Sequence, residues 1–188
     1  MGVVGTLLKK RRAGEANLAW NLPGLNGPQT LEVTSAAFAD GAAIPVEHAG
    51  KRAGGRQISP PLSWTAPPAG TAELLLVMED VDVPMGSPFV HCVALISPEV
   101  PALDPGALDG NQPAVGVRVL RSDMGRGYVG PAPIKGHGPH HYVFQLFALA
   151  TPAVDDYEQA ASAKPRVLLA AVAGPVLARG RLTGVYER

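Results

Sequence analysis

The sequence is short of cysteine, of charge and of long apolar runs, and each shortage excludes a class of protein. The single cysteine, Cys92, leaves no partner for a disulfide within the chain, a usage that fits a reducing compartment, so we predict a cytoplasmic protein. Charged residues make up 17% and the formal net charge is zero, which argues against the broad basic surface of a protein that binds nucleic acid or an anionic membrane. No stretch approaches the roughly 20 apolar residues that span a bilayer, so we expect no integral membrane segment.

Glycine and proline are abundant instead, with 22 and 19 residues in a chain of 188. Together with clear apolar segments, they indicate a β-rich fold with many turns rather than disorder. Residues 1–30 show weak periodicity and several breakers, so we expect an N-terminal extension that docks on the domain or stays mobile. Within it, the basic run Lys9 to Arg12 is expected to be a solvated part of this arm, with contact to acidic lipid as the alternative. Residues 31–188 then form the single domain.

Apolar and alternating segments predict strands near residues 31–38, 62–64, 74–78, 89–96, 115–120 and 142–149. The continuous apolar run Leu74 to Met78 is typical of a strand covered on both faces. Near the end, Pro165 to Ala178 reads as a helix, which Pro175 should kink or end, and Arg181 to Tyr186 as a last strand. The fold class is therefore mostly β: an antiparallel, Greek-key-like β-sandwich with peripheral helices and a C-terminal helix.

Two polar segments stand out against this apolar background. The first, EDVDVP from Glu79 to Pro84, directly follows an apolar strand. Acidic residues at a strand end are ordinarily solvated turn residues, but the proline fixes the backbone and holds the carboxylates in one pose. A short loop later, His91 begins another apolar strand, where a neighbouring carboxylate can fix its tautomer or keep it charged.

The second segment, HGPHH, places three histidines between His137 and His141. A zinc site is one hypothesis, but the cysteine partners are missing, and in a strand His140 and His141 point to opposite faces. We therefore predict no metal. The nearby GRGYVG, Gly125 to Gly130, matches G-x-G-x-x-G, yet the residues that follow cannot start a helix, so we predict no dinucleotide cofactor. Neither segment contains the G-x-S-x-G elbow of a serine hydrolase.

Together these segments resemble the phosphatidylethanolamine-binding protein family, which includes the Raf kinase inhibitor protein, and above all its bacterial and archaeal branch. The resemblance covers roughly residues 31–188. It rests on ISPPLSW with APPAGT, on EDVDVP followed by His91, on SDMGRGYVGPAPIKGHGPHHYVFQLFAL and on the terminal LTGVYER.

The resemblance implies an antiparallel β-sandwich with an anion pocket. Its ligand-binding residues here would be Asp80, His91, Pro133, His140 and Tyr142, supported by Asp82, Ala132 and His137. It further implies recognition of a small anionic or phosphorylated group such as phosphoethanolamine, modulation of a kinase or another signalling partner, and a homodimer. The sequence departs from the family pattern at Val81, Val83, Cys92, Ile134, His141 and Pro175.

Physical chemistry supports a binding pocket more than an active site. Histidine N–H groups and a tyrosine O–H can donate to an anion, and an aspartate beside a histidine orients the ring. We therefore predict non-catalytic binding. The alternative is a hydrolase of esters or phosphoesters in which His91 or His140 is the general base and Asp80 orients it; with no evident nucleophile, that enzyme would activate water.

Overall fold

The computed structural model describes residues 2–188 and confirms a mostly β, antiparallel fold with few helices. The strands are β1 Val33–Thr34, β2 Leu62–Trp64, β3 Glu73–Asp80, β4 Phe89–Ile96, β5 Ala102–Leu103, β6 Val117–Val119, β7 Arg121–Ser122, β8 Gly125–Arg126, β9 His140–Leu149 and β10 Val176–Tyr186. The helices are α1 Val3–Leu8, α2 Tyr157–Ser162 and α3 Pro165–Ala171, with 3-10 turns at Ala19–Asn21, Pro23–Leu25, Val46–His48 and Lys51–Ala53.

The main sheet has the strand order β10-β9-β3-β4-β6, and all its pairs are antiparallel. A smaller sheet, β1-β2-β5, lies over one face, and a core cluster joins Val33, Leu62 and Leu103 of that sheet to the inner residues of the main sheet. The other face is covered by α2, α3 and residues 18–25. The main sheet is thus buried on both sides.

This double coverage explains the uninterrupted apolar run in β3. Leu74 and Leu76 lie in the core between the two sheets, whereas Leu75 and Val77 lie in the core beneath the helices. A strand alternates its side chains between faces, so both sets must be apolar when neither face meets water.

Several element bounds differ from the sequence-based prediction. The late helix ends at Ala171, seven residues before the predicted end at Ala178, because Gly174 takes a positive φ of 113° and Pro175 follows it. From Val176 the chain pairs with β9, so the last strand begins five residues before the predicted Arg181. The first strand contracts to Val33–Thr34, since the Ser35 hydroxyl accepts from the amide of Ala37 and turns the chain.

Residues 18–20 are held to the main sheet by buried polar groups. The amide of Ala19 donates to Glu79 Oε2 at 2.7 Å, and the amide of Trp20 donates to Gln145 Oε1 at 2.7 Å. Gln145 Nε2 in turn donates to Glu79 Oε2 at 2.7 Å. Burial raises the pKa of Glu79, against the opposing charge of Arg166, whose guanidinium lies 2.5 Å from Oε1. These groups lie on the face of β3 opposite the pocket described below.

Strand β10 forms one edge of the main sheet, and residues 28–44 run along its outer side. The amide of Arg179 donates to the carbonyl of Pro28 at 2.8 Å, and the amide of Val185 donates to that of Ala42 at 2.8 Å. The outward backbone groups of Arg179, Thr183 and Val185 on this edge are therefore bonded within the chain.

Candidate functional site

A cavity of about 240 Å³ opens where β3 ends and β9 begins. Six of the sequence-predicted site residues line it, and the other two, Asp82 and His137, lie behind its wall. The lining residues are Asp80, Val83, Pro84, Met85, Phe89, His91, Met124, Val129, Gly130, Ala132, Pro133, Ile134, His140 and Tyr142.

Strand register brings the central residues together. Asp80 pairs with Tyr142 on β9 and with Phe89 on β4. The β3–β4 register slips between Met78 and Glu79, so His91 is an extra residue in β4. Such a bulge re-aims a side chain, and it turns His91 toward the face that carries Asp80 and Tyr142.

A buried chain of hydrogen bonds runs from Asp80 through two histidines to the N-terminal arm. His140 Nδ1 lies 2.7 Å from Asp80 Oδ2, and His140 Nε2 lies 2.7 Å from His137 Nδ1. At the far end, His137 Nε2 lies 2.9 Å from the carbonyl oxygen of Leu8. Both ring nitrogens of His140 therefore already have protein partners.

The charge of the two histidines depends on how many protons these three contacts contain. Each of the three contacts needs one N–H proton, and the Asp80 carboxylate and the Leu8 carbonyl only accept. Two neutral imidazoles carry two N–H protons between them. All three contacts are hydrogen bonds at once only with a third proton, which would give the pair of His137 and His140 one positive charge opposite the carboxylate of Asp80.

Asp82 braces the outer side of the same segment. Its Oδ2 accepts from the amide of His141 at 2.6 Å and lies 2.7 Å from His141 Nδ1. Its Oδ1 lies 3.2 Å from Arg12 NH1, and the same guanidinium donates to the carbonyls of His137 and Pro139. Arg12 therefore ties the N-terminal arm to both walls of the cavity.

His91 and Tyr142 carry the polar atoms that remain available to a ligand. His91 Nδ1 donates to the carbonyl of Val129 at 2.6 Å, which leaves a lone pair on Nε2 in the neutral ring. Burial lowers the pKa of His91, with Asp80 opposing, so the neutral form is favoured. Tyr142 Oη is buried and makes no well-formed hydrogen bond within residues 2–188, and the carboxylate of Asp80 is the acceptor that lies near it. Burial, and then the nearby Asp80, raise the pKa of Tyr142, which keeps it a donor.

The departures from the family pattern have local explanations. Val81, in place of a proline, donates its amide to the carbonyl of His141 at 3.2 Å, a bond that proline cannot make. Cys92 is buried in the core, where burial raises the pKa of its thiol to about 12. His141 is exposed and bonded to Asp82, while Ile134 and Val83 line the cavity.

Sequence reasoning missed the contribution of the N-terminal arm to the site. Leu8 acts through its backbone carbonyl, which any residue type supplies, so no sequence signal marks it. Arg12 belongs to a basic run that gives no hint of its partners. Within residues 2–188, no cluster of three or more metal-ligating side chains is present.

Comparison with known proteins gives a consistent picture. The family model described as phosphatidylethanolamine-binding protein matches residues 34–187. LppC of Mycobacterium tuberculosis is 38% identical over 166 residues, which cover 85% of this chain and 73% of that protein. A UPF0098 protein of Aquifex aeolicus is 33% identical over 166 residues, 86% of this chain and 91% of its own. The names of these relatives denote no enzymatic activity.

Among solved structures, YbcL of Escherichia coli, described as a member of the mammalian PEBP family, superposes with a TM-score of 0.73. It is 30% identical, and the match covers 84% of this chain and 98% of YbcL.

The predicted cytoplasmic location is wrong on this comparison, because LppC is named as a lipoprotein. A lone buried thiol forms no internal disulfide in any compartment, so the cysteine count could not decide location. Within the described residues, no helix is both long enough and apolar enough to cross a bilayer.

Proposed function

The chain belongs to the phosphatidylethanolamine-binding protein family, and from this premise we propose that its pocket binds a small phosphorylated or otherwise anionic group without chemical turnover. The observation that carries the proposal is the hydroxyl of Tyr142, buried in the cavity wall without a well-formed hydrogen bond among residues 2–188 and with only the carboxylate of Asp80 near it. A buried donor that is left unpaired costs about 1 to 3 kcal/mol, which is the upper limit here. A phosphoryl oxygen that accepts from this hydroxyl reduces that cost.

His91 gives the pocket a donor that depends on protonation. In its neutral form Nε2 presents a lone pair and repels an anion's oxygen, whereas the protonated ring donates a charge-assisted bond there. Because burial lowers the pKa of His91, binding of an anion must draw in a proton near neutral pH. Affinity should therefore rise as the pH falls.

The remaining residues limit which end of a ligand is recognised. Asp80 Oδ2 contacts His140, and Asp80 Oδ1 accepts from the amide of Asp82 at 2.8 Å. The carboxylate is thus occupied, and an amine gains little from it, so the phosphoryl end is the recognised group. The cavity of about 240 Å³ lies below the usual 300 to 1,000 Å³ of small-molecule sites, which favours a headgroup-sized ligand.

Titration of phosphoethanolamine, followed by protein NMR, tests the proposal. We expect tighter binding about one pH unit below 6.5, the ordinary histidine value, than about one unit above it. Tyr142→Phe should weaken binding roughly tenfold, while Tyr157→Phe, whose hydroxyl donates to Val119 on another part of the sheet, should not. Equal affinity at both pH values would contradict the role of His91, and full affinity in Tyr142→Phe would contradict the pocket assignment.

The hydrolase alternative is tested in the same samples. Asp80 orients His140, but His140 Nε2 already contacts His137, and His91 is oriented by a backbone carbonyl instead of by a carboxylate. Steady release of phosphate that disappears in His91→Phe would overturn the binding-only proposal. The signalling partner and the homodimer implied by the family remain predictions.

A further inference from the structure

Helix α1 packs with its apolar side chains pointing away from the protein. Its buried side carries Gly2 and Gly5, at which a Cβ atom would lie 2.2 Å from the carbonyl oxygen of Lys135. The opposite side carries Val3, Val4 and Leu7, which are 73%, 60% and 80% exposed. At about 100° per residue these three side chains fall on one face. A surface helix of a globular protein ordinarily has the reverse arrangement.

Further exposed apolar side chains lie at the mouth of the cavity. Gly2 and Gly5 lie against Lys135, the residue that follows Ile134, and Ile134 lines the cavity mouth together with Met85 and Met124. All three of these rim residues are among the large exposed apolar residues of the protein. Helix α1 therefore packs directly beside the segment that forms part of this rim.

Exposed basic residues border this region. Lys9, Lys10 and Arg11 follow α1 directly, are exposed, and form no ion pair within residues 2–188. Asp82, the acidic partner of Arg12 in the same arm, is also paired with His141. The three residues Lys9, Lys10 and Arg11 therefore present positive charge that is unpaired in the described part of the chain, although the net charge of the chain is zero.

We propose that this docking face, comprising Val3, Val4, Leu7, Lys9, Lys10 and Arg11, binds the surface of an anionic phospholipid bilayer. Apolar side chains enter the boundary between headgroups and acyl chains, and the adjacent cations meet the negative surface potential. A protein partner of neutral or basic character satisfies only the apolar half of this arrangement. In this proposal the basic residues of the N-terminal arm contact the lipid headgroups. Binding of the protein to the membrane does not require a ligand in the pocket.

Co-sedimentation of the full chain with vesicles tests the proposal. One vesicle set contains phosphatidylglycerol and phosphatidylcholine, the other phosphatidylcholine alone, and neither contains phosphatidylethanolamine. We expect reversible, salt-sensitive binding to the anionic set. Leu7→Glu should lower the bound fraction roughly tenfold or more; its control, Val115→Glu, changes a side chain that is 97% exposed outside the docking face and should have no effect.

Charge is tested separately with two triple variants of equal net charge. The first variant should lose the preference for anionic vesicles; it combines Lys9→Gln, Lys10→Gln and Arg11→Gln. The control combination, Lys51→Gln, Arg52→Gln and Arg56→Gln, removes three exposed cations from another segment and should retain it. Tyr142→Phe should also bind vesicles normally, which separates failure of docking from failure of the pocket.

Three results would overturn the proposal: no binding to anionic vesicles, equal binding to both vesicle sets, or binding that Leu7→Glu leaves unchanged. Light scattering supplies a further check. If Leu7→Glu converts a dimer to a monomer while vesicle binding is absent, the face is an interface between copies of this chain and not a membrane surface.

Discussion

Replacing Asp80 with asparagine should destabilise the protein far more than the same replacement at Asp82. Both carboxylates lie 2.7 Å from a histidine Nδ1, so the two pairs match in chemistry and distance. They differ in burial, because the Asp80 and His140 side chains are 4% and 2% exposed, whereas Asp82 and His141 are 14% and 48% exposed. Asp82 also has a second charged partner in Arg12, so a larger loss at Asp80, which lacks one within residues 2–188, would point to burial as the cause.

The expected magnitudes follow from what each change leaves behind. If the histidine pair holds the third proton, Asp80→Asn removes the negative charge that balances it, and breaking a buried ion pair typically costs about 3 to 5 kcal/mol. The pair must then release its third proton and lose one of its three hydrogen bonds. Asp82→Asn keeps a carbonyl oxygen for the amide of His141 and loses partly screened contacts to Arg12 and His141, worth about 1 kcal/mol.

Equilibrium unfolding in urea measures both free energies, provided that the dependence on urea concentration is unchanged between variants. NMR adds a direct test, since the wild-type histidine pair should show three imidazole N–H protons and the Asp80→Asn variant two. A loss of stability in Asp80→Asn no greater than that in Asp82→Asn would refute the charged-pair assignment, as would two N–H protons in the wild type.

Three further predictions concern other buried groups. Because burial lowers the pKa of His91, the folded state binds fewer protons than the unfolded state below about pH 6.5, so the free energy of unfolding should fall as the pH drops through this range. His91→Phe should flatten that fall in thermal melts at several pH values, and an unchanged slope would contradict the assignment. Cys92, buried with a pKa raised to about 12, should resist a thiol-reactive dye until urea unfolds the chain; rapid labelling of the native protein would show that the site opens. Gln145→Leu leaves the Trp20 amide and one bond to Glu79 unmade, which should cost about 1 to 3 kcal/mol for each buried group in urea unfolding; a neutral effect would show that these bonds do not hold residues 18–20.

Periodicity was sufficient to predict the central strands. The strand Phe89–Ile96 has the predicted bounds, because apolar residues fill it and proline and serine flank it. The run Leu74 to Met78 identified a strand covered on both faces. The end of α3 and the start of β10 were less predictable. The residue at which the helix ends and the strand begins depends on how far β9 extends to pair with β10, which the sequence of this segment does not show.

The site was only partly accessible to sequence reasoning. Resemblance to a family grouped Asp80, His91, His140 and Tyr142, and the structure brings all four to one cavity. The charged histidine pair was not predictable, because its far end is the backbone carbonyl of Leu8, in a segment with no distinctive pattern. Nor does a sequence show the bulge that redirects His91, since bulges arise from pairing between strands.

The bonded outer side of β10 has a consequence for aggregation. An unprotected edge strand of eleven residues would be a template onto which another chain could add a strand. Here the loop of residues 28–44 bonds the outward donors and acceptors of Arg179, Thr183 and Val185, and the opposite edge, β6, has only three residues. The main sheet is therefore largely shielded against growth by strand addition from one molecule to the next.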